Sequence, residues 1–317
     1  MAVLRLVAAA LAFVGRHGTI AIALSIFAGL AIPPLAAAFR PILTETIFVL
    51  LLLAFLRVRP SALSGLARKP GLVIAAAVWM MLAIPLALAS TFHAFGFEFA
   101  MPELYLILIL QLCAPSLMGS PALAALIGLD VALTLATLVV CTAITPLTAT
   151  LFGHFFIGTS LISPIEFGVR LFALIAGSAA AAAAIRYAAG DDRLDAQRDA
   201  IDGLSVLGMF IFAAAAMDGV IAHTIASPKL VGGLTALTFA LTLGTVALTT
   251  LAFLPAGRKR AFAIGILAGN RNIGLMLAAT GFAIPDLAWL YFGLAQFPIY
   301  LLPVLLKPLA RRLENKR

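Results

Sequence analysis

Apolar residues run along the chain in long continuous stretches instead of alternating with polar ones. Ten stretches fall at 19–37, 41–57, 71–90, 102–127, 130–152, 164–187, 200–222, 230–255, 260–283 and 286–306. Each is close to the roughly 20 residues that a helix needs to cross a ~30 Å hydrocarbon core. They are rich in Ala and Leu and lack a period of two, so they predict transmembrane helices and not the strands of a barrel. Residues 1–15 form one more apolar stretch, broken by Arg5 and closed by Arg16. No convincing cleavage context precedes the first span, so this stretch predicts an interfacial helix or the start of that span instead of a removed leader.

Composition agrees with the pattern. The 317 residues are 63% hydrophobic and 11% charged, with a mean hydropathy of +1.14, whereas soluble domains are about 25% charged. A soluble fold of this length could not hide so much apolar surface, and a disordered chain would be far more polar. The net charge of +8 would suggest nucleic acid in a soluble protein. Sorted by the sides that ten spans define, the basic residues give another answer. One face carries Arg5, Arg16, Arg57, Arg59, Arg68, Lys69, Arg186, Arg193, Arg198, Arg258, Lys259, Arg260, Lys307, Arg311, Arg312, Lys316 and Arg317; the other carries Arg40 and Lys229. The positive-inside rule then puts both termini in the cytoplasm, predicts a multi-pass protein of the cell inner membrane, and removes nucleic acid as a partner.

Ten spans divide into two five-span halves, 1–157 and 158–317, which an odd span number would set upside down to one another. The fourth and ninth spans are each interrupted, by Cys113-Ala114-Pro115-Ser116 through Gly119-Ser120-Pro121 and by Gly269-Asn270-Arg271-Asn272. A lone Asp follows each, Asp130 and Asp286. Interrupted helices at matching places in inverted halves are the best pointer in a sequence to a transporter's binding site. The predicted fold is therefore all-α, with ten transmembrane helices in two inverted repeats and spans 4 and 9 broken.

Arg271 lies some 11 residues into its span, roughly 16 Å deep at 1.5 Å per residue. An isolated guanidinium there costs at least ~2.5–3.5 kcal/mol, so it must face a cavity or a partner. Two roles are open. It caps carbonyls of the broken helix, with Asp218 as a counter-ion, or it binds the anionic group of a substrate beside the exposed half-helix N-termini. Asn270 and Asn272 are ligands or caps on the same grounds. Asp218 and Glu45 are interfacial charges, or else a proton relay or counter-ions. Ser116, Ser120, Thr134, Gln111 and Gln296 are neutral polar residues inside spans, where Ser and Thr commonly bond their own helix. Cys113 and Cys141 read as buried thiols. There is no nucleotide-binding loop, zinc spacing or nucleophile elbow, and an enzyme is not expected.

The run Cys113-Ala-Pro-Ser-Leu-Met-Gly-Ser-Pro, continuing through Gly128-Leu-Asp-Val-Ala-Leu-Thr to Ile144-Thr-Pro-Leu-Thr, resembles the fourth and fifth helices of the bile acid:sodium symporter family. Gly265-Ile-Leu-Ala-Gly-Asn-Arg-Asn-Ile-Gly-Leu resembles its ninth. The resemblance implies helices 4 and 9 crossing at unwound centres, a panel domain beside a core domain, and uptake of organic anions by alternating access. Where the family carries a Glu and a Gln as sodium ligands in helix 9, this chain has Leu267 and Arg271. The helix 4 Asn becomes Pro121, and a helix 3 Gln falls at Met80; Thr134 alone matches a ligand-type position. Sodium is possible, but its ligand set looks degraded, and no other cofactor is expected.

The resulting expectation is a sodium-independent carrier of a small organic anion in which Arg271 replaces the sodium charge. Uniport, exchange and proton coupling through Asp218 or Glu45 all stay open. The expected substrate-binding set is Arg271, Asn270, Asn272, Ser116, Gly119, Ser120, Gln296 and Thr134, in a monomer or weak homo-oligomer. An efflux permease that resembles arsenite carriers, using Cys113, is the nearest rival. A transport-incompetent receptor would need a signalling domain, for which the roughly 11-residue tail leaves no room.

Overall fold

The computed structural model describes residues 18–58, 70–121, 124, 128–158 and 163–314, with side chains between 24 and 301. The stretch 1–15, with Arg5 and Arg16, and also Arg59, Arg68, Lys69, Lys316 and Arg317, lie outside the described residues. Among those residues the structure is helical and has no strand. The helices are α1 (Gly18–Ala31), α2 (Pro33–Phe39), α3 (Leu43–Arg57), α4 (Pro70–Val78), α5 (Ile84–Ala94), α6 (Phe97–Ala100), α7 (Pro102–Cys113) and α8 (Val131–Phe152). They continue with α9 (Pro164–Ala189), α10 (Asp191–Ala196), α11 (Arg198–Ala216), α12 (Val220–Ala226), α13 (Pro228–Ala252), α14 (Arg258–Gly269), α15 (Ile273–Ala279) and α16 (Asp286–Glu314). Among the described residues, six segments are long and apolar enough to cross a membrane: Pro33–Arg57, Pro70–Ala94, Val131–Ile157, Pro164–Ala189, Arg198–Ala226 and Pro228–Ala252. The protein is an all-α membrane protein.

The first two expected spans divide elsewhere than at 38–40. α1 stops at Ala31, and Pro33 and Pro34 open the next helix at its first positions, where a missing N–H costs nothing. From there α2, a 3-10 step at Arg40–Ile42 and α3 follow one another without a loop. Arg40 therefore sits within a helical segment and not in an extramembrane loop. The expected seventh span also breaks: α11 ends at Ala216, and the turn Met217–Gly219, with Gly219 at φ +77°, leads into α12.

The chain forms two compact units. Unit 1 comprises 1–58 and 174–231, and unit 2 comprises 59–173 and 232–317. In unit 1, α11 packs against α1, α2 and α3. The approach of α1 is so close that a Cβ at Gly29 would stand 2.5 Å from the Ala214 carbonyl oxygen. Leu53, Leu56 and Ala182 are buried together at its other end, covered by Leu194 and Ile201. There Arg186 donates to the carbonyls of Leu56 and Val58 at 2.5 and 2.8 Å and pairs with Asp191 at 3.1 Å, closing the C-terminus of α3.

In unit 2, Gly265 and Gly269 of α14 form a notch against α13. A Cβ at Gly265 would meet the Val246 carbonyl at 2.8 Å, and one at Gly269 the Thr242 carbonyl at 2.7 Å. Small residues four apart give helices in lipid this backbone-to-backbone approach. Val246, Phe262, Ala263 and Ile266 pack with Ala124 and Leu129 around it. Two pairs of helix starts are joined, each by a different kind of contact. Glu103, at the start of α7, accepts from the Leu287 N–H at the start of α16 (3.2 Å). Arg260, at the start of α14, lies 3.9 Å from Asp130, which caps α8 by accepting from the Leu133 N–H.

Candidate functional site

Within unit 2, two helix breaks are paired through their backbones. α7 ends at Cys113 because Pro115 follows: the residue before a proline is forced out of the helical region, and Ala114 has ψ 142°. α14 ends at Gly269. Ser116 and Arg271 then form an antiparallel bridge, in which the Leu117 N–H donates to the Asn270 carbonyl at 2.7 Å and the Asn272 N–H to the Pro115 carbonyl at 2.8 Å. Each break thus supplies the donors and acceptors that the other lacks, as backbone at membrane depth requires.

Arg271 closes the crossing. Its side chain is 4% exposed. Nε donates to the Ala268 carbonyl (2.7 Å), Nη1 to that of Ala114 (2.9 Å) and Nη2 to that of Met80 (3.0 Å). Each oxygen is an orphan for a local reason. The helical partner of Ala268 would be the Asn272 N–H, which is bound to Pro115 instead. Ala114 lies past the end of α7. Met80 belongs to a π-turn, Trp79–Ala83, between α4 and α5, where the Ile84 N–H donates to Trp79 and so bypasses Met80. The next residue, Pro85, has no N–H to offer it. One guanidinium therefore satisfies three carbonyls freed by three separate breaks, as a bound cation with oxygen ligands would. Among the described residues of unit 2, no carboxylate pairs with it. Three of its five N–H donors have acceptors, so one N–H on each terminal nitrogen is left over.

Of the expected site residues, four converge here. Asn270 is buried at 2% exposure, and its Oδ1 finds no hydrogen-bond partner among the described residues. Ser116 and Ser120 are fully buried, with hydroxyls 3.0 Å apart, and Ser116 also donates to the Asn270 carbonyl at 3.3 Å. Gly119 is half-buried in the turn between them, where a Cβ would meet the Leu117 side chain at 4.0 Å, an ordinary van der Waals contact. Asn272 takes the capping role: its Oδ1 accepts from the Leu275 N–H at 3.2 Å and starts α15.

The rest are engaged elsewhere. Thr134 donates to Asp130 of its own helix at 2.7 Å, and Gln296 to Phe292 of its own at 2.9 Å. Asp218, weighed as a counter-ion for Arg271, lies in unit 1 and accepts from Arg40 at 2.9 Å. Glu45 is exposed in the first turn of α3, where the helix dipole favours a carboxylate. Cys113 and Cys141 are buried free thiols. Sequence inspection left two buried contacts of unit 2 unassigned, Tyr291 Oη to Gln111 Oε1 (2.6 Å) and Trp79 Nε1 to Thr249 Oγ1 (3.1 Å). It also passed over Pro85, whose place inside an apolar span was the available sign that a carbonyl had been released. No family model and no curated protein matches the chain.

Proposed function

We propose that the protein is a secondary carrier of a small organic anion, working by alternating access without sodium, with Arg271 as its built-in cation. The observation that carries this is the seat of the guanidinium: three main-chain carbonyls from three helix breaks, no paired carboxylate among the described residues of unit 2, and two N–H donors left over. A carboxylate accepts charge-assisted hydrogen bonds from guanidinium N–H donors of this kind. The unpartnered Oδ1 of Asn270 adds an acceptor for a hydroxyl or N–H on the same substrate.

Two observations support the ten-span inverted architecture behind this mechanism. Each unit draws on both halves of the chain: unit 1 on spans 1, 2 and 7 and on span 6 from residue 174, unit 2 on spans 3–5, the first part of span 6 and, from residue 232, spans 8–10. That is the division expected of a panel and a core built from two repeats. In addition, the start of span 4 meets that of span 10 through Glu103, and the start of span 9 meets that of span 5 through Arg260 and Asp130, the same pairing of places if spans 4 and 5 correspond to spans 9 and 10. Placement in the inner membrane with cytoplasmic termini rests on the positive-inside distribution.

Binding of L-lactate and methanesulfonate to the purified protein and to Arg271→Lys tests the assignment. Lysine keeps the charge but loses the planar fork, so binding should weaken about tenfold or more. Equal affinity would return Arg271 to a purely structural role.

A further inference from the structure

Resting on the carrier assignment above, we infer that the protein is an obligatory exchanger, releasing one monovalent organic anion for each one it takes up. The acceptors of Arg271 are neutral carbonyls, which satisfy its hydrogen bonds but carry no net charge. No carboxylate in the described part of unit 2 offsets it. The crossing therefore keeps one whole positive charge in a position 4% exposed. A mobile cation leaves such a site together with its anion. A side chain cannot leave.

Any alternating-access cycle passes through a state closed to both sides. With an anion on the two spare N–H groups, that state is neutral at the crossing. Empty, it holds a charge in a low-dielectric surrounding with neither water nor counter-ion, which electrostatics makes costly. Reorientation of the empty carrier thus meets a barrier that the loaded carrier avoids, and only the loaded form crosses quickly in either direction. The cycle balances as one anion inward and one outward, with no bond made or broken and no net charge moved. Because the site supplies a single charge, the preferred cargo is monovalent.

The test uses the full chain in phosphatidylcholine vesicles, in sodium-free buffer, with radiolabelled L-lactate and methanesulfonate as probes. Half of the vesicles are preloaded with the same unlabelled anion and half with buffer alone. Exchange predicts initial uptake at least about tenfold faster into the preloaded vesicles, a conservative reading of what an uncompensated buried charge costs. Equal rates in both sets overturn the exchange proposal while leaving the anion carrier standing. Absence of saturable uptake in both sets, with no thermal shift from either anion, removes the carrier assignment itself and the exchange proposal with it.

Discussion

Nη2 of Arg271 donates to the carbonyl oxygen of Met80 at 3.0 Å, across 191 positions of sequence. The Met80 oxygen is available only because the π-turn at Trp79–Ala83 redirects the Ile84 N–H and because Pro85 has none. This contact brings a third helix to the pairing of the two broken ones.

Loss of the guanidinium should therefore be felt in stability. Arg271→Gln leaves at least one of the three buried carbonyls without a donor, at roughly 1–3 kcal/mol for each orphaned group. A clear fall in the thermal unfolding midpoint in detergent is expected, and Arg271→Lys should fall less. An unchanged midpoint for Arg271→Gln would show that water satisfies these oxygens.

Pro85→Ala restores an N–H one turn after the π-turn. The new donor competes for the Met80 or Met81 oxygen, so the local helix gains a bond while Arg271 loses one acceptor. The variant is expected to fold at least as stably as the parent, yet to bind monocarboxylates several-fold more weakly. Affinity equal to the parent would detach the π-turn from the site.

Glycine substitutions separate contact from propensity. Gly269→Ala drives a methyl into the Thr242 carbonyl and should cost about 1–3 kcal/mol, read as a lower unfolding midpoint or poor expression. Gly244→Ala, on α13 with open space over its Cα, should be neutral or slightly stabilising through helix propensity. Equal effects at both positions would contradict the close approach of α14 to α13.

The ion pair of Arg40 and Asp218 links two interrupted helical segments of unit 1. Asp218→Asn should leave anion uptake and its pH profile close to those of the parent. The charge-swapped double variant, Arg40→Asp with Asp218→Arg, should recover the stability that either single reversal loses. Abolished uptake in Asp218→Asn would reinstate the proton-relay role.

The membrane character and the two interruptions were legible in the sequence, because each is carried by residue type: unbroken apolar runs, and Pro115 and Gly269. The partners of Arg271 were not. They are main-chain oxygens, and a search among polar side chains does not find acceptors beneath Ala114, Ala268 and Met80. The partner of Asp218 was not legible either: Arg40 falls between two expected spans, and the Pro33-Pro34 pair, which moves the helix boundary to Ile32, was the available signal. Thr134 and Gln296 show a further limit of residue type, since a hydroxyl or amide inside a helix can turn to its own backbone, and only the three-dimensional arrangement decides.

Uptake of radiolabelled L-lactate and methanesulfonate into anion-preloaded vesicles, measured once with an inward sodium gradient and once with sodium replaced throughout by N-methylglucamine, tests the central claim most directly. With Arg271 holding the cation's place, the two initial rates should agree. Uptake that appears only with the sodium gradient would contradict the account.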